Sequence, residues 1–344
     1  MNRKSSLLYL SASLLIALPF TYFYFLYTNE YPQGSFERMA NFEADKVFQT
    51  RLLITTIANA LEPCLPALRF TFQWIVPYPI GYEVLLQLLN AFFLTLLLWI
   101  MPLLLNCLNY HVNKWICLLV IVPIAWNYIV INGFLDGAGL YYPYDIPSLT
   151  FFALGIILFM RKKWLWFYPV FILACLNRES ACFISLGGFI LNFNFSSRKI
   201  KEIIFLNKQI VVQSIIQFMI WSSSRIVLSY LCRNNPGDFF EQPHSMIDFL
   251  TTLGSGQGHW AMQNPLWFLT LFAGIWIIPL VKSKNLNKPS KRFLGLGLVY
   301  FFVLTQRSNM METRVYNELN VILSSTAICC AFGKKIYIEE NPSL

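Results

Sequence analysis

Long, uninterrupted apolar runs recur from one end of this chain to the other, and two of the clearest cover residues 84–107 and 116–131. A helix needs about 20 apolar residues to cross the ~30 Å hydrocarbon core of a bilayer. The strict in–out alternation of a membrane β-barrel is absent from these runs. The pattern therefore predicts an all-α, polytopic integral membrane protein.

The composition agrees with this interpretation. Of the 344 residues, 56% are hydrophobic and only 12% are charged, whereas soluble proteins carry about 25% charged residues. No domain-sized polar stretch is left between the runs, so residues 1–344 are predicted to form a single transmembrane domain with loops at 28–82 and 232–264 on one side. About ten spans are expected, at residues 6–27, 84–107, 115–131, 147–160, 164–176, 181–194, 209–231, 265–281, 293–305 and 319–333.

The distribution of charge predicts how the chain is oriented. With the N-terminus in the cytoplasm, 17 of the 26 Lys and Arg residues fall on the cytoplasmic side and 9 on the outer side. Because this follows the positive-inside rule, both termini are predicted to be cytoplasmic. The basic residues form short clusters between spans, so the net charge of +9 does not indicate nucleic acid binding. Fourteen of the 17 Asp and Glu residues lie outside, which suggests that the chemistry takes place there.

The first loop contains two short apolar stretches, at 51–61 and 68–76, next to prolines at 63, 66, 77 and 79. Each stretch has only about ten residues and is too short to span. We interpret them as interfacial helices that lie along the outer leaflet. A re-entrant hairpin is the alternative.

Arg178 and Glu179 are adjacent at the point that joins the short apolar halves 164–176 and 181–194. Ionisable groups at membrane depth are costly, and broken helices commonly line substrate cavities. Arg178 is therefore predicted to bind a phosphate through its planar guanidinium. The alternative is a structural Arg178–Glu179 pair that joins the two half-helices.

Two further charged segments lie at the outer ends of predicted spans. Asp145 follows a tyrosine-rich stretch at 141–144 and is either a helix N-cap or a catalytic carboxylate beside an aromatic platform. Arg314 lies between Glu312 and Glu318, and a helix would bring Glu318 onto the same face. A surface salt bridge is the alternative to a phosphate-binding role for Arg314.

The first loop also carries the tripeptide Glu43-Ala44-Asp45. Two carboxylates at this spacing are able to share a divalent cation or supply a general base. In the second loop, His244 and His259 lack the spacing of metal ligands, so no metal site is predicted there.

With these features, the chain resembles the GT-C superfamily of membrane glycosyltransferases, in a small bacterial form. Those enzymes carry a D-x-D or E-x-D pair in the first extracytoplasmic loop, where residues 43–45 lie in this chain. Residues 48–53, 141–145 and 177–179 are similar to segments of bacterial GT-C-like proteins.

The resemblance implies transfer of a sugar from a polyprenyl-phosphate donor at the outer face of a bacterial inner membrane, within cell-envelope polysaccharide biosynthesis. Glu30 is an alternative acid, and a Mg²⁺ or Mn²⁺ ion would be the cofactor of an E-x-D pair. The implied partners are the lipid-linked sugar donor, membrane lipids and other cell-envelope proteins. The residues implied to be catalytic are Glu43, Asp45 and Asp145, and those implied to bind substrate or phosphate are Arg51, Arg178, Glu179 and Arg314.

Three other functions remain open from the residues alone. A polysaccharide polymerase or ligase would also use outward-facing arginines, to hold lipid pyrophosphate. A transporter or flippase would share the broken helices and buried charges but usually carries an internal repeat, which is not found. A non-catalytic scaffold would not explain the outward carboxylates. If the chain has one site, Arg51, Asp145, Arg178 and the E-x-D pair converge on one outward-facing cavity.

Overall fold

The computed structural model describes residues 3–66, 81–135, 139–194, 202, 205–238, 267–306 and 313–336. This part of the chain is helical almost throughout. Short 3-10 segments and a π-helical stretch, Trp126–Leu135, connect or extend the α-helices. The α-helices are α1 (Arg3–Leu26), α2 (Phe36–Ala40), α3 (Lys46–Gln49), α4 (Leu52–Leu61), α5 (Tyr82–Cys107), α6 (Ile121–Ala125), α7 (Asp145–Met160), α8 (Trp164–Asn177), α9 (Cys182–Asn192), α10 (Lys208–Leu231), α11 (Trp267–Thr270), α12 (Ile277–Val281), α13 (Lys288–Thr305) and α14 (Asn317–Phe332).

Five helical segments of the described chain are long and apolar enough to cross a bilayer, which agrees with an all-α membrane protein. Ten spans are not shown, because most of the other apolar helices have only 10–17 residues and α13 carries Lys288, Lys291 and Arg292. The five segments are Lys4–Leu26, Tyr82–Cys107, Lys114–Asn132, Lys208–Leu231 and Arg314–Phe332.

The predicted span at 265–281 does not form one continuous helix in its described part. Helix α11 ends at Thr270, and the backbone then takes positive φ angles of 54° at both Phe272 and Ala273. This left-handed conformation is costly for residues with a Cβ atom. The amide of Phe272 donates to the side-chain oxygen of Asn127 at 3.1 Å, which helps to hold the break.

Helices α7 and α14 form the centre of the bundle. Nearly every residue of each is buried, and α7 packs against α5, α8, α9 and α14. Helix α10 lies at the periphery, with few buried residues. A helix that is apolar almost all round is typically buried, as α7 is, whereas α14 also buries polar residues such as Asn317, Glu318 and Asn320.

At one end of the bundle, segments that the sequence predicts to be cytoplasmic meet. Tyr110–His111 (β1) pairs antiparallel with Lys334–Lys335 (β2), just after α14. The Tyr110 hydroxyl donates to the Asn285 carbonyl at 2.9 Å. Lys114 Nζ donates to the carbonyl of Ser5, near the N-terminus, at 2.5 Å. These four segments therefore lie on one side of the molecule.

The loops predicted to be extracytoplasmic meet at the opposite end. The amide of Asn29 donates to the Gly139 carbonyl at 2.7 Å, and the Asn235 side chain donates to the Ala44 carbonyl at 2.8 Å. Within the first loop, α4 packs against α5 and α8. The first loop is therefore folded onto the bundle as far as the described residues extend, and its second apolar stretch lies outside them.

Candidate functional site

The candidate site lies in a recess formed by helices of unequal length. Helices α7 and α8 have 16 and 14 residues, about 24 and 21 Å, whereas the 26 residues of α5 extend about 39 Å. Asn90, eight residues inside α5, donates to the hydroxyl of Tyr141. The chain entering α7 therefore lies about 12 Å below the end of α5.

A buried ion pair occupies the floor of this recess. Nη1 of Arg178 donates to Oδ1 of Asp145 at 3.1 Å, and the two residues are only 5% and 1% exposed. Asp145 is the first residue of α7, but its carboxylate contacts Arg178 and does not cap the helix. Asn177 donates to the Tyr144 carbonyl at 2.9 Å, and Asn317 donates to the Asp145 carbonyl at 3.0 Å. These bonds hold the backbone beside the pair.

A second ion pair joins the first loop to the tip between α8 and α9. Arg51 contacts both carboxylate oxygens of Glu179, from Nε at 3.1 Å and from Nη2 at 2.7 Å. Its Nη1 donates to the Tyr144 hydroxyl at 2.6 Å. Arg178 and Glu179 therefore pair with different elements and not with each other. This excludes the alternative of a structural Arg178–Glu179 pair that joins the two half-helices.

The two groups of this second pair shift each other's pKa. Burial alone would lower the pKa of Arg51, but the Glu179 carboxylate, together with Tyr144 and Asp145, raises it above its ordinary value. Burial alone would raise the pKa of Glu179, but Arg51 and then Arg178 hold it at about 2. Both groups are therefore charged over the whole physiological pH range.

A row of aromatic rings connects Arg51 with Arg314. The Arg314 guanidinium lies 3.8 Å from the centre of the Tyr142 ring, and Tyr142 stacks on Tyr144 at 5.4 Å. Arg51 lies 4.5 Å from the centre of the Tyr144 ring. Cations over aromatic faces are stabilised further when they are removed from water. Two guanidinium groups are thus held at the two ends of a tyrosine pair.

Glu318, which the sequence suggested only as a partner for Arg314, lies on the other side of the recess. It is 2% exposed and accepts hydrogen bonds from the hydroxyls of Ser180 and Tyr300. These bonds connect the α8–α9 tip with α13 and α14. Only the tertiary structure brings Ser180 and Tyr300 to this carboxylate.

A small cavity lies between Arg178 and Glu318. Ser148 and Ser180 add polar walls, and its space is sufficient for about one water molecule. Several buried polar atoms of Arg178, which lines this cavity, and of residues near the ion pair have no hydrogen-bond partner among the described residues. Such atoms are costly unless a polar ligand or water satisfies them. They are Arg178 Nε, Asp145 Oδ2, Asn177 Oδ1 and Asn317 Oδ1.

The structure does not bring the E-x-D pair into this network. Glu43 is exposed, and the side chain of Asp45 faces Arg38, whose Nη1 lies 4.0 Å from Oδ1 of Asp45. No group of three His, Cys, Asp or Glu residues suited to a metal ion occurs within the part of the chain that the structure describes. The site residues brought together are Arg51, Asp145, Arg178, Glu179 and Arg314, while His244, His259 and Glu312 lie outside the described residues.

Two residues of α10 that the sequence analysis did not select also reach this region. Nε1 of Trp221 donates to the Glu179 carbonyl at 2.9 Å. The guanidinium of Arg225 donates to the Cys175 carbonyl in the last turn of α8. The only sequence signal for Arg225 is a charge inside an apolar run, which usually marks a site or a pair.

Comparisons with known proteins give no match to this chain among protein-family models, curated proteins or solved structures. The geometry of the site is therefore what bears on the function of this chain.

Proposed function

We propose that this chain is a membrane glycosyltransferase that transfers a sugar from a polyprenyl-phosphate donor in the recess around Arg178. The observation that carries the proposal is the buried Arg178–Asp145 pair, in which one atom of each partner has no hydrogen-bond partner among the described residues. Burying charged groups with unsatisfied atoms is costly, and such groups are usually kept for a function.

The arginines provide a place for the phosphate of the donor. Arg178 has an Nε that is not used within the described residues, so it can bind a phosphate oxygen while Nη1 keeps its bond to Asp145. Arg51 and Arg314 lie on either side of the tyrosine pair. The tyrosine faces would support a sugar ring or the first isoprene unit of the lipid.

The reaction requires a base on the acceptor and a stabilised leaving group. The acceptor hydroxyl oxygen attacks the anomeric carbon, and the bond from that carbon to the phosphate oxygen breaks. The electron pair stays on the lipid phosphate, which the arginines hold, and the hydroxyl proton passes to a carboxylate. We assign the carboxylate role to Asp145 because it contacts Arg178 directly, whereas Glu43 and Asp45 lie on the adjacent surface.

The small volume of the cavity has a consequence for this mechanism. A lipid-linked sugar is far larger than the single water molecule that the cavity admits. Donor entry therefore requires the α8–α9 tip to move away from the first loop, which means opening the Arg51–Glu179 pair. Closing of such a lid over the substrate would exclude water from the site.

The experiment is lipid analysis of membranes from cells that lack the gene or express wild type, Arg178→Ala or Asp145→Asn at equal levels. We expect a polyprenyl-phosphate sugar to accumulate without the protein and with either variant. Arg178→Ala no longer binds the donor phosphate, and Asp145→Asn no longer accepts the proton of the acceptor hydroxyl. Arg233→Ala is the matched control, since Arg233 is exposed and stacks on a tyrosine, Tyr230, at 4.4 Å. It should behave as wild type.

Two outcomes would contradict the proposal. Accumulation of a lipid pyrophosphate carrying an oligosaccharide would indicate a polymerase or ligase that uses the same arginines. An unchanged lipid pool together with altered uptake or export of a solute would indicate a transporter.

A further inference from the structure

Arg225 lies inside the apolar helix α10, at a level where a charge needs a partner. It is six residues from Leu231, the last residue of α10, or about 9 Å along the helix axis. A charged side chain at this depth is costly unless a partner of opposite charge, such as a lipid phosphate, approaches it.

The contacts of Arg225 leave its charge uncompensated. Within the described chain its one hydrogen bond goes to the Cys175 carbonyl, and its Nε has no partner there. Within the same residues, no carboxylate lies within 4 Å of it. Glu179 interacts with it electrostatically, but both oxygens of that carboxylate are already bound by Arg51.

The surroundings of Arg225 face the lipid. The side chain is partly exposed, and its neighbours Ile226 and Val227 are 70% and 55% exposed. Helix α10 contacts α8 and α9 along its other face. Because Arg225 donates to the Cys175 carbonyl of α8, it lies in the seam between α8 and α10. The Nε of Arg225 is buried, but the residue as a whole is partly exposed, so the rest of its guanidinium is the part that a lipid phosphate reaches from the bilayer.

We propose that Arg225 and the seam between α8 and α10 bind the phosphate of an anionic membrane lipid that approaches from the bilayer. Arg225 supplies charge-assisted hydrogen bonds to the phosphate oxygens, and the exposed apolar residues of α10 contact the acyl chains. The site is separate from the Arg178–Asp145 pair and does not depend on the proposed transferase activity.

The test is native mass spectrometry of the purified full-length protein released from nanodiscs of phosphatidylcholine with a minor fraction of phosphatidylglycerol. We expect wild type to retain phosphatidylglycerol selectively. In Arg225→Gln the affinity for phosphatidylglycerol should fall about tenfold, because one charged hydrogen-bond donor group is lost. Glutamine is still able to donate to the Cys175 carbonyl, so a purely structural role would leave retention unchanged.

Three further measurements decide the proposal. Arg225→Lys, which keeps the charge, should restore most of the retention, and the exposed Arg233→Gln should match wild type. Equal phosphatidylglycerol retention by wild type and Arg225→Gln would overturn the proposal. Displacement of the lipid by millimolar inorganic phosphate, with no preference between the two lipids, would overturn the assignment to a lipid. Because the readout is lipid retention, it is unaffected if the transferase proposal fails.

Discussion

Arg178 and Asp145 together show how the charges of the recess depend on one another. Each is almost fully buried, and each is the other's ion-pair partner. A buried pair contributes little net stability compared with an apolar pair, but removing one partner leaves an uncompensated charge inside the protein. Single and double substitutions should therefore have different effects.

We expect Arg178→Met alone to destabilise the protein by about 3–5 kcal/mol. Arg178→Met combined with Asp145→Leu should cost clearly less than the sum of the two single substitutions, because no unpaired charge remains. Thermal unfolding in detergent measures both effects as a double-mutant cycle. Arg38→Ala is the control, since Arg38 and Asp45 are a partly exposed pair at 4.0 Å and should contribute less than about 1 kcal/mol. Strictly additive effects at 178 and 145 would show that the two residues do not form the pair.

Glu179 leads to a prediction about pH. Its pKa is held at about 2, below its ordinary value of 4.5. The stability that its charge contributes is therefore present above pH 4.5 and is lost as the pH falls toward 2. The difference in unfolding midpoint between wild type and Glu179→Gln should be constant from about pH 5 to 8 and shrink below pH 4.5. In an Arg51→Gln background this pH dependence should weaken, and a difference that changes between pH 5 and 8 would contradict the assignment.

At the scale of elements, close packing of α7 against α9 positions the two halves of the Arg178–Asp145 pair. Glycines make this approach possible. A Cβ atom on Gly155 would lie 2.5 Å from Ile184, and one on Gly188 would lie 2.2 Å from the Phe159 ring. Small residues at such contacts allow membrane helices to approach closely. The ends of α7 and α9 carry the site, so a change in their separation should move it.

Gly188→Ala should destabilise the protein by about 1–3 kcal/mol, because the added methyl group overlaps the Phe159 ring and the helices must separate. The matched control is Gly295→Ala in α13, where an added Cβ meets nothing within 4 Å. It should be neutral or stabilising by up to about 1 kcal/mol, since alanine favours a helix more than glycine. Unfolding midpoints in detergent compare the two, and equal effects would mean that the α7–α9 contact is not close.

At the scale of the whole molecule, different segments of the chain meet at the two ends of the helical bundle. One end joins β1, β2, the N-terminal residues and the segment around Asn285. The other joins the first loop with residues 139–144 and 235–237 and carries the site. This arrangement agrees with the alternation predicted from charge.

Thiol labelling tests the orientation. In a Cys64→Ser background, which removes the one exposed cysteine of the described chain, we expect Glu43→Cys to react with a membrane-impermeant maleimide in intact cells. Lys284→Cys should react only after permeabilisation. Both positions are exposed, so access is decided by the membrane. Reaction of both from the same side would contradict the two-ended arrangement.

The sequence by itself determined the class of this protein and the position of most helices. Apolar runs of sufficient length can be read directly, because the cost of exposing backbone and charge to lipid acts on each segment separately. Residues 84–107 and 209–231 therefore appear as α5 and α10 with nearly the same bounds. The half-helices on either side of Arg178 were also predicted, because short length and a charged tip are local features. The broken helix at 271–274 was not, since left-handed angles at Phe272 and Ala273 depend on a contact with Asn127.

Only the tertiary structure decided how the charges are paired. The sequence placed Arg178 beside Glu179, Glu318 near Arg314 and the E-x-D pair in the first loop. The structure pairs Arg178 with Asp145 and Glu179 with Arg51, and it leaves Glu43 exposed. The physical reason is that an ion pair depends on distance and burial in three dimensions, with partners here 33 and 128 residues apart. Neither hydropathy nor spacing along the chain contains that information.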